Sequence, residues 1–300
     1  MKTLAVLLLS LGATAAHAES RAWTTAKKAL PGGLQTVVGV NLTPIKTSAL
    51  YQQLLPVAMA KAGGAQEHLD KLKATCGLDA MGMLDSVVLG MTSDDKTVVI
   101  IQLKGTNQKA LEACGQKVAK ADGKKLTITK DGAVTKYSGM GDDDAYVKWL
   151  SKDSLAIAED KDTLTKLTTG GIARDSVGAE VGKLSTDAAL WGVVNKSQDI
   201  PDLGGKMSSA YGTLDLKAGS LAADVHLIMD SAKTATTGAT KAQQQLDGIK
   251  KSGQVPKQFT AAIDSITVKT SGAELVLDGH VTEADLASMA GMLSALAGSH

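Results

Sequence analysis

Two short polar pairs define the chemistry open to this chain: Asp224-Val225-His226 and Asp278-Gly279-His280. Residues two apart on a strand share a face, so each pair presents one carboxylate and one imidazole together. If the two strands are neighbours, both pairs can converge on a divalent ion such as zinc, and metal-assisted hydrolysis would be the reaction. The plain alternative is a solvated polar sheet face. Two weak pairs fall short of a spaced ligand set, so no metal ligand, catalytic residue or cofactor site is assigned.

Cys76 and Cys114 are the only cysteines. On a helix, Cys76 shares the apolar face of Leu69 and Leu72, and Cys114 that of Leu111 and Val118. Two such helices on the same side of one sheet would bring the sulfurs together. The rival is a pair of separate buried thiols; an even cysteine number in an exported chain favours the disulfide. With no Cys-x-x-Cys, redox catalysis is not expected.

Other motifs are weaker. Asp142-Asp143-Asp144 lacks the ligand spacing of a calcium loop and reads as an exposed acidic turn. Met81-Gly82-Met83 offers soft sulfur ligands, but methionine also fills cores short of aromatics. Ser93-Asp94-Asp95-Lys96 fits a bare Ser-x-x-Lys without the partner motifs of penicillin-recognising enzymes, and reads as a hairpin tip. Nucleophile-elbow, zincin, phosphate-loop and dinucleotide fingerprints are absent.

The elements that must position these residues alternate between strand and helix. Leu34–Val40 is a β-branched strand, and a helix over Ala65–Cys76 ends at Gly77 after a stretch broken by Pro56 and Gly63-Gly64. Ser86–Met91 and Thr97–Leu103 are strands, Thr106 is placed to cap a helix, and hairpins fall in Lys125–Ser138 and Tyr146–Ala158. The glycine-rich stretch Thr169–Ser185 reads as a connection. Beyond it the order repeats: a strand at Ala189–Val194, a hairpin of Tyr211–Leu216 and Leu221–Met229, and a polar helix over Ser231–Lys251. Strands Ser265–Thr270 and Glu274–Val281 and an amphipathic helix Glu283–Leu296 close the chain. The reading is an α+β fold of two related lobes, each an antiparallel sheet with helices on one face and ferredoxin-like elements. Its expected divisions are a leader at 1–18, an N-terminal lobe at 19–170, a connection at 171–185 and a C-terminal lobe at 186–300.

The leader is a secretory signal peptide by composition. Met1-Lys2 is basic, Leu4–Leu11 is a short apolar run, and Ala16-His17-Ala18 precedes a cut between Ala18 and Glu19. That predicts a periplasmic or secreted protein with no membrane span. Removing Lys2 brings 32 basic residues to 31, level with 31 acidic ones, so the mature chain lacks the basic excess of a nucleic-acid binder. A membrane-surface binder usually needs the same excess. Aromatic residues make up only 3%, with Phe259 the single phenylalanine, which leaves few stacking platforms for bases or sugars.

Cys76-Gly77-Leu78-Asp79, Leu84-Asp85-Ser86-Val87-Val88-Leu89-Gly90, Trp191-Gly192 and Tyr211-Gly212-Thr213-Leu214-Asp215-Leu216 resemble an uncharacterised family of exported bacterial proteins. The resemblance covers most of 30–297, rests on turns and strand starts, and implies two lobes and export; it carries over no catalytic residue. The expected function is an exported non-catalytic binding or scaffold protein, its partner an unknown protein or a small apolar ligand. The alternatives are a metal-dependent hydrolase built on the Asp/His pairs and a periplasmic carrier of an apolar ligand.

Overall fold

Hairpin pairs with hairpin until the strands of both halves form one sheet. The computed structural model describes residues 19–48, 51–52, 55, 65–139, 144–217, 220–252, 255–282, 284–286 and 288. The leader, Pro56, Gly63-Gly64, Asp142, Asp143 and most of the helix expected at Glu283–Leu296 lie outside the described residues.

The first half runs α1 (Arg21–Ala29), β1 (Thr36–Asn41), α2 (Leu42–Thr47), α3 (Ala65–Cys76), α4 (Ala80–Met83), β2 (Leu84–Met91) and β3 (Thr97–Leu103). It continues with α5 (Gln108–Ala121), β4 (Thr127–Asp131), β5 (Val134–Ser138), β6 (Ala145–Trp149), β7 (Ser154–Ala158) and α6 (Lys161–Lys166). A 3₁₀ turn (Ile172–Arg174) and α7 (Ser176–Val181) connect to the second half. There follow β8 (Leu190–Val194), β9 (Gln198–Ile200), β10 (Gly205–Lys217), β11 (Ser220–Met229), α8 (Ala232–Lys251), α9 (Lys257–Ser265), β12 (Thr267–Ser271) and β13 (Glu274–Thr282).

Among the described residues, 13 strands run β12-β13-β11-β10-β8-β1-β2-β3-β7-β6-β5-β4, with β9 paired to β10. Every pairing is antiparallel, including the β1–β8 pair that joins the halves. The fold is α+β. Its two halves share a plan: three successive strands (β1-β2-β3, β8-β10-β11), a long helix (α5, α8), and a return strand beside the third (β7, β13).

One face of the sheet is closed by α1 and the connection. Ala22, Trp23, Ala26 and Leu30 of α1 and its C-cap pack with Ile172, Val177, Val181 and Leu184 against Val37, Val88, Val98, Ile100, Trp191 and Val193. The Thr169–Ser185 stretch is therefore folded into the core. Backbone hydrogen bonds Gly170 N–H to Ala29 O (2.6 Å) and Ile172 N–H to Leu30 O (3.0 Å) fasten it to α1.

The other face carries the two long helices near opposite ends. Leu111 of α5 packs with Leu103, Val147, Leu155 and Ile157, and Ala235 and Ala239 of α8 pack with Met207, Met229, Leu227 and Leu275. α5 starts one residue later than expected. Asn107, not Thr106, is its N-cap, with the amide oxygen accepting from Ala110 N–H at 3.1 Å. The disulfide joins Cys76 at the end of α3 to Cys114 in α5, with Cα atoms 5.4 Å apart.

Candidate functional site

β11 and β13 are neighbours, as convergence of the Asp/His pairs required, and Asp224 stands opposite Asp278. The same register sets His226 opposite Val276 and His280 opposite Ala222. The imidazoles are thus four residues apart along β11, roughly 13 Å. Among the described residues no group of three or more His, Cys, Asp or Glu is arranged to hold a metal ion.

His226 instead sits in a clasp. Its Nε2 lies 2.8 Å from Asp224 Oδ1, and its Nδ1 lies 2.8 Å from Glu274 Oε1. The Tyr211 ring stacks on the imidazole at 4.5 Å, and its hydroxyl donates to Glu274. Lys183 Nζ stands 5.3 Å from the Tyr211 centroid, a cation–π contact from the connection. Burial alone would push the Glu274 carboxyl up, but hydrogen bonds from Tyr211 and His226 outweigh it and hold the group below its usual range. Burial, reinforced by the bond to Glu274, drives the Tyr211 hydroxyl upward. This network ties β10, β11 and β13 together through the side chains of Tyr211, His226 and Glu274.

Beside it a cavity of about 480 Å³ is lined by Asp215, Asp224, Asp278, Ser265, Thr267 and His280. Asp278 accepts from Lys269 at 3.0 Å, and that bond holds its carboxyl below the ordinary value against the opposing effect of burial. Asp144 pairs with Lys136 at 2.5 Å, Met81-Gly82-Met83 is one turn of helix capped by Asp79, and Asp95 turns a hairpin tip at φ 61°.

The most unusual surface is the helix-flanked face of the sheet. Cross-strand pairing puts Val38, Val40, Val87, Leu89 and Val99 of β1–β3 on the same face as Leu190 of β8, Leu214 of β10, Val225 of β11 and Leu277 of β13. All but Leu190 are half-buried; Leu190 is 40% exposed. Their strand neighbours on the closed face, Val37, Val88, Val98 and Val193, are 0% exposed. The same residue types on the same strands thus form a sealed core on one side and a partly covered apolar band on the other.

A trough crosses the band. Val38 pairs with Gly192, Gly192 with Gly212, and Gly212 with Val225, so one residue of bare backbone on each of two strands lies between two valines, with Leu190, Leu214, Val194 and Ala210 flanking it along the strands. At Gly212 a Cβ would meet the Asp224 carbonyl closer than 3.0 Å, so the sheet curls too tightly there for a side chain. At Gly192 the nearest atom would be Val38 Cγ2 at 3.4 Å, which is ordinary contact. Tyr137 lies at the α5 end, its hydroxyl donating to Glu112 at 2.9 Å; burial first, and that bond second, push it up to about 12. The band has a sequence signal: Val37-Val38, Val87-Val88 and Val98-Val99-Ile100-Ile101 are unbroken apolar runs rather than alternating ones, the mark of strands apolar on both faces.

No family model matches the chain, and no curated protein does. Among solved structures, that titled "Structure of crystal form I of TP0453" is similar, with TM-score 0.50 and 12% identity over 89% of this chain and 95% of that chain. At that identity the likeness is one of fold.

Proposed function

We propose that this protein is an exported, non-catalytic carrier that holds an apolar, chain-like ligand along the trough of the helix-flanked face. The contrast between Val37, fully buried, and Val38, half-buried on the same strand, carries the reading. A face meant only as core would be sealed as its reverse side is. An apolar surface of this kind framed by helices, with a gap free of side chains at Gly192 and Gly212, suits a ligand that gains by leaving water.

Export is supported by the signal-like composition of 1–18 and by the disulfide, which persists in oxidising compartments. A cut between Ala18 and Glu19 would retain every described residue. Ser20, which caps α1 by accepting from Trp23 N–H at 3.2 Å, follows one residue later. The metal-hydrolase alternative lacks comparable support, because both ring nitrogens of His226 are held by carboxylates.

Gly192→Leu tests the carrier reading, because this position has room for a Cβ and a larger side chain would fill the trough. Titration with parinaric acid, a fluorescent fatty acid, should show saturable binding to the mature protein and a loss of about tenfold or more in the variant. Equal binding by a variant with unchanged circular dichroism would remove the trough as the site.

A further inference from the structure

Overall neutrality hides a segregation of charge. Residues 104–130 hold seven lysines against two acidic residues, Glu112 and Asp122. Both carboxylates are already engaged: Asp122 pairs with Lys71, and Glu112 accepts from Tyr137 and Gln108. Beyond this run, Asp131 pairs with Lys161 and Asp153 with Arg21. Lys109, Lys117, Lys120, Lys124, Lys125, Lys130 and Lys152 are all exposed. Lys109, Lys130 and Lys152 share a cavity of about 470 Å³ at the start of α5.

The second flanking helix repeats the pattern. α8 carries Lys233, Lys241, Lys250 and Lys251 against a single acid, Asp247, which accepts from Gln243; Lys250 pairs with Asp264 at 3.4 Å. Ile249 continues the inward stripe of α8 one turn past Leu246, yet is 48% exposed beside Lys250 and Lys251. An apolar residue set among lysines at a helix end fits the boundary between lipid headgroups and acyl chains. α5 and α8 both pack on the band side of the sheet, so their exposed lysines lie on the same side as the trough.

We propose that these lysines dock the protein on an anionic lipid bilayer, with Ile249 entering the interface, so that the trough meets the membrane that supplies or receives its ligand. Polybasic helices gain from the negative surface potential of such a bilayer, and that gain fades with salt. The purpose of the docking rests on the carrier reading; its test does not.

The mature protein is floated with vesicles of phosphatidylcholine alone and of phosphatidylcholine with phosphatidylglycerol. Binding should require the anionic lipid, fall with salt, and drop at least about twentyfold in the pair Lys117→Glu and Lys120→Glu, at roughly fivefold per lysine. Ile249→Gln should weaken it further. Parinaric acid binding without vesicles should be unchanged in the lysine pair, which separates failure of docking from failure of the carrier. Equal binding to neutral vesicles, or full binding by the lysine pair, would overturn the proposal. So would binding of a DNA duplex as tight as that of the anionic vesicles, since the lysines would then form a general polyanion surface.

Discussion

Gly39 of β1 lies directly under the indole of Trp191 of β8, its cross-strand partner, and a Cβ at Gly39 would approach three indole atoms closer than 3.0 Å. The two residues belong to different halves of the chain. Trp191 also meets Trp23 of α1 edge to face, with ring centroids 5.3 Å apart. The junction between halves is thus a packed core contact, and the glycine is what lets the largest side chain there lie flat on the sheet.

Gly39→Ala should therefore destabilise the whole molecule, by about 3 kcal/mol from overpacking. Denaturant unfolding followed by tryptophan fluorescence measures it. An unchanged midpoint would mean that Trp191 has another place to go.

The disulfide closes a loop spanning 38 residues. The loop-entropy estimate for that length is about 4 kcal/mol. The tethered helix α3 has no fully buried side chain among its described residues, so the bridge bears much of its anchoring. Alkylation without reductant should find no free thiol, and Cys114→Ser should lower the melting temperature clearly.

Asp175 caps α7, accepting from Val177 N–H at 3.0 Å, and also accepts from Gly33 N–H. The Gly33 bond foremost, with the Val177 bond behind it, holds its carboxyl below the ordinary value in spite of partial burial. A folded-state value below the unfolded one stabilises above the unfolded pKa and is lost as pH falls through the folded one. Asp175→Ala should cost about 1–2 kcal/mol at neutral pH. The gap between wild type and variant should close as pH drops below about 4; a gap that persists there would deny the carboxylate its role.

The hairpins were legible because alternation and turn glycines mark them locally: Gly132 and Gly272 sit in their turns at φ 61°. The Cys76–Cys114 bridge was legible because helical spacing places each cysteine on an apolar face. The β1–β8 seam was not, since nothing in Val37–Val40 names Leu190–Val194 as its partner rather than a strand of its own half. Register decided the Asp/His pairs in the same non-local way. α1 carries little sequence signal because its buried residues are mostly alanines, Ala22 and Ala26, whose small size lets the helix lie close to the sheet. The apolar band was written in the doubled valines, but which face is sealed depends on where α1 and the connection pack.

If the helix-flanked face carries an apolar ligand, as proposed, the ligand should travel with the protein. Native mass spectrometry of the protein purified without detergent reads its occupancy. The expected result is a stoichiometric adduct that organic solvent extracts as an apolar, acyl-chain molecule and that Gly192→Leu lacks. A protein that emerges uniformly unliganded and takes up no added fatty acid would contradict it.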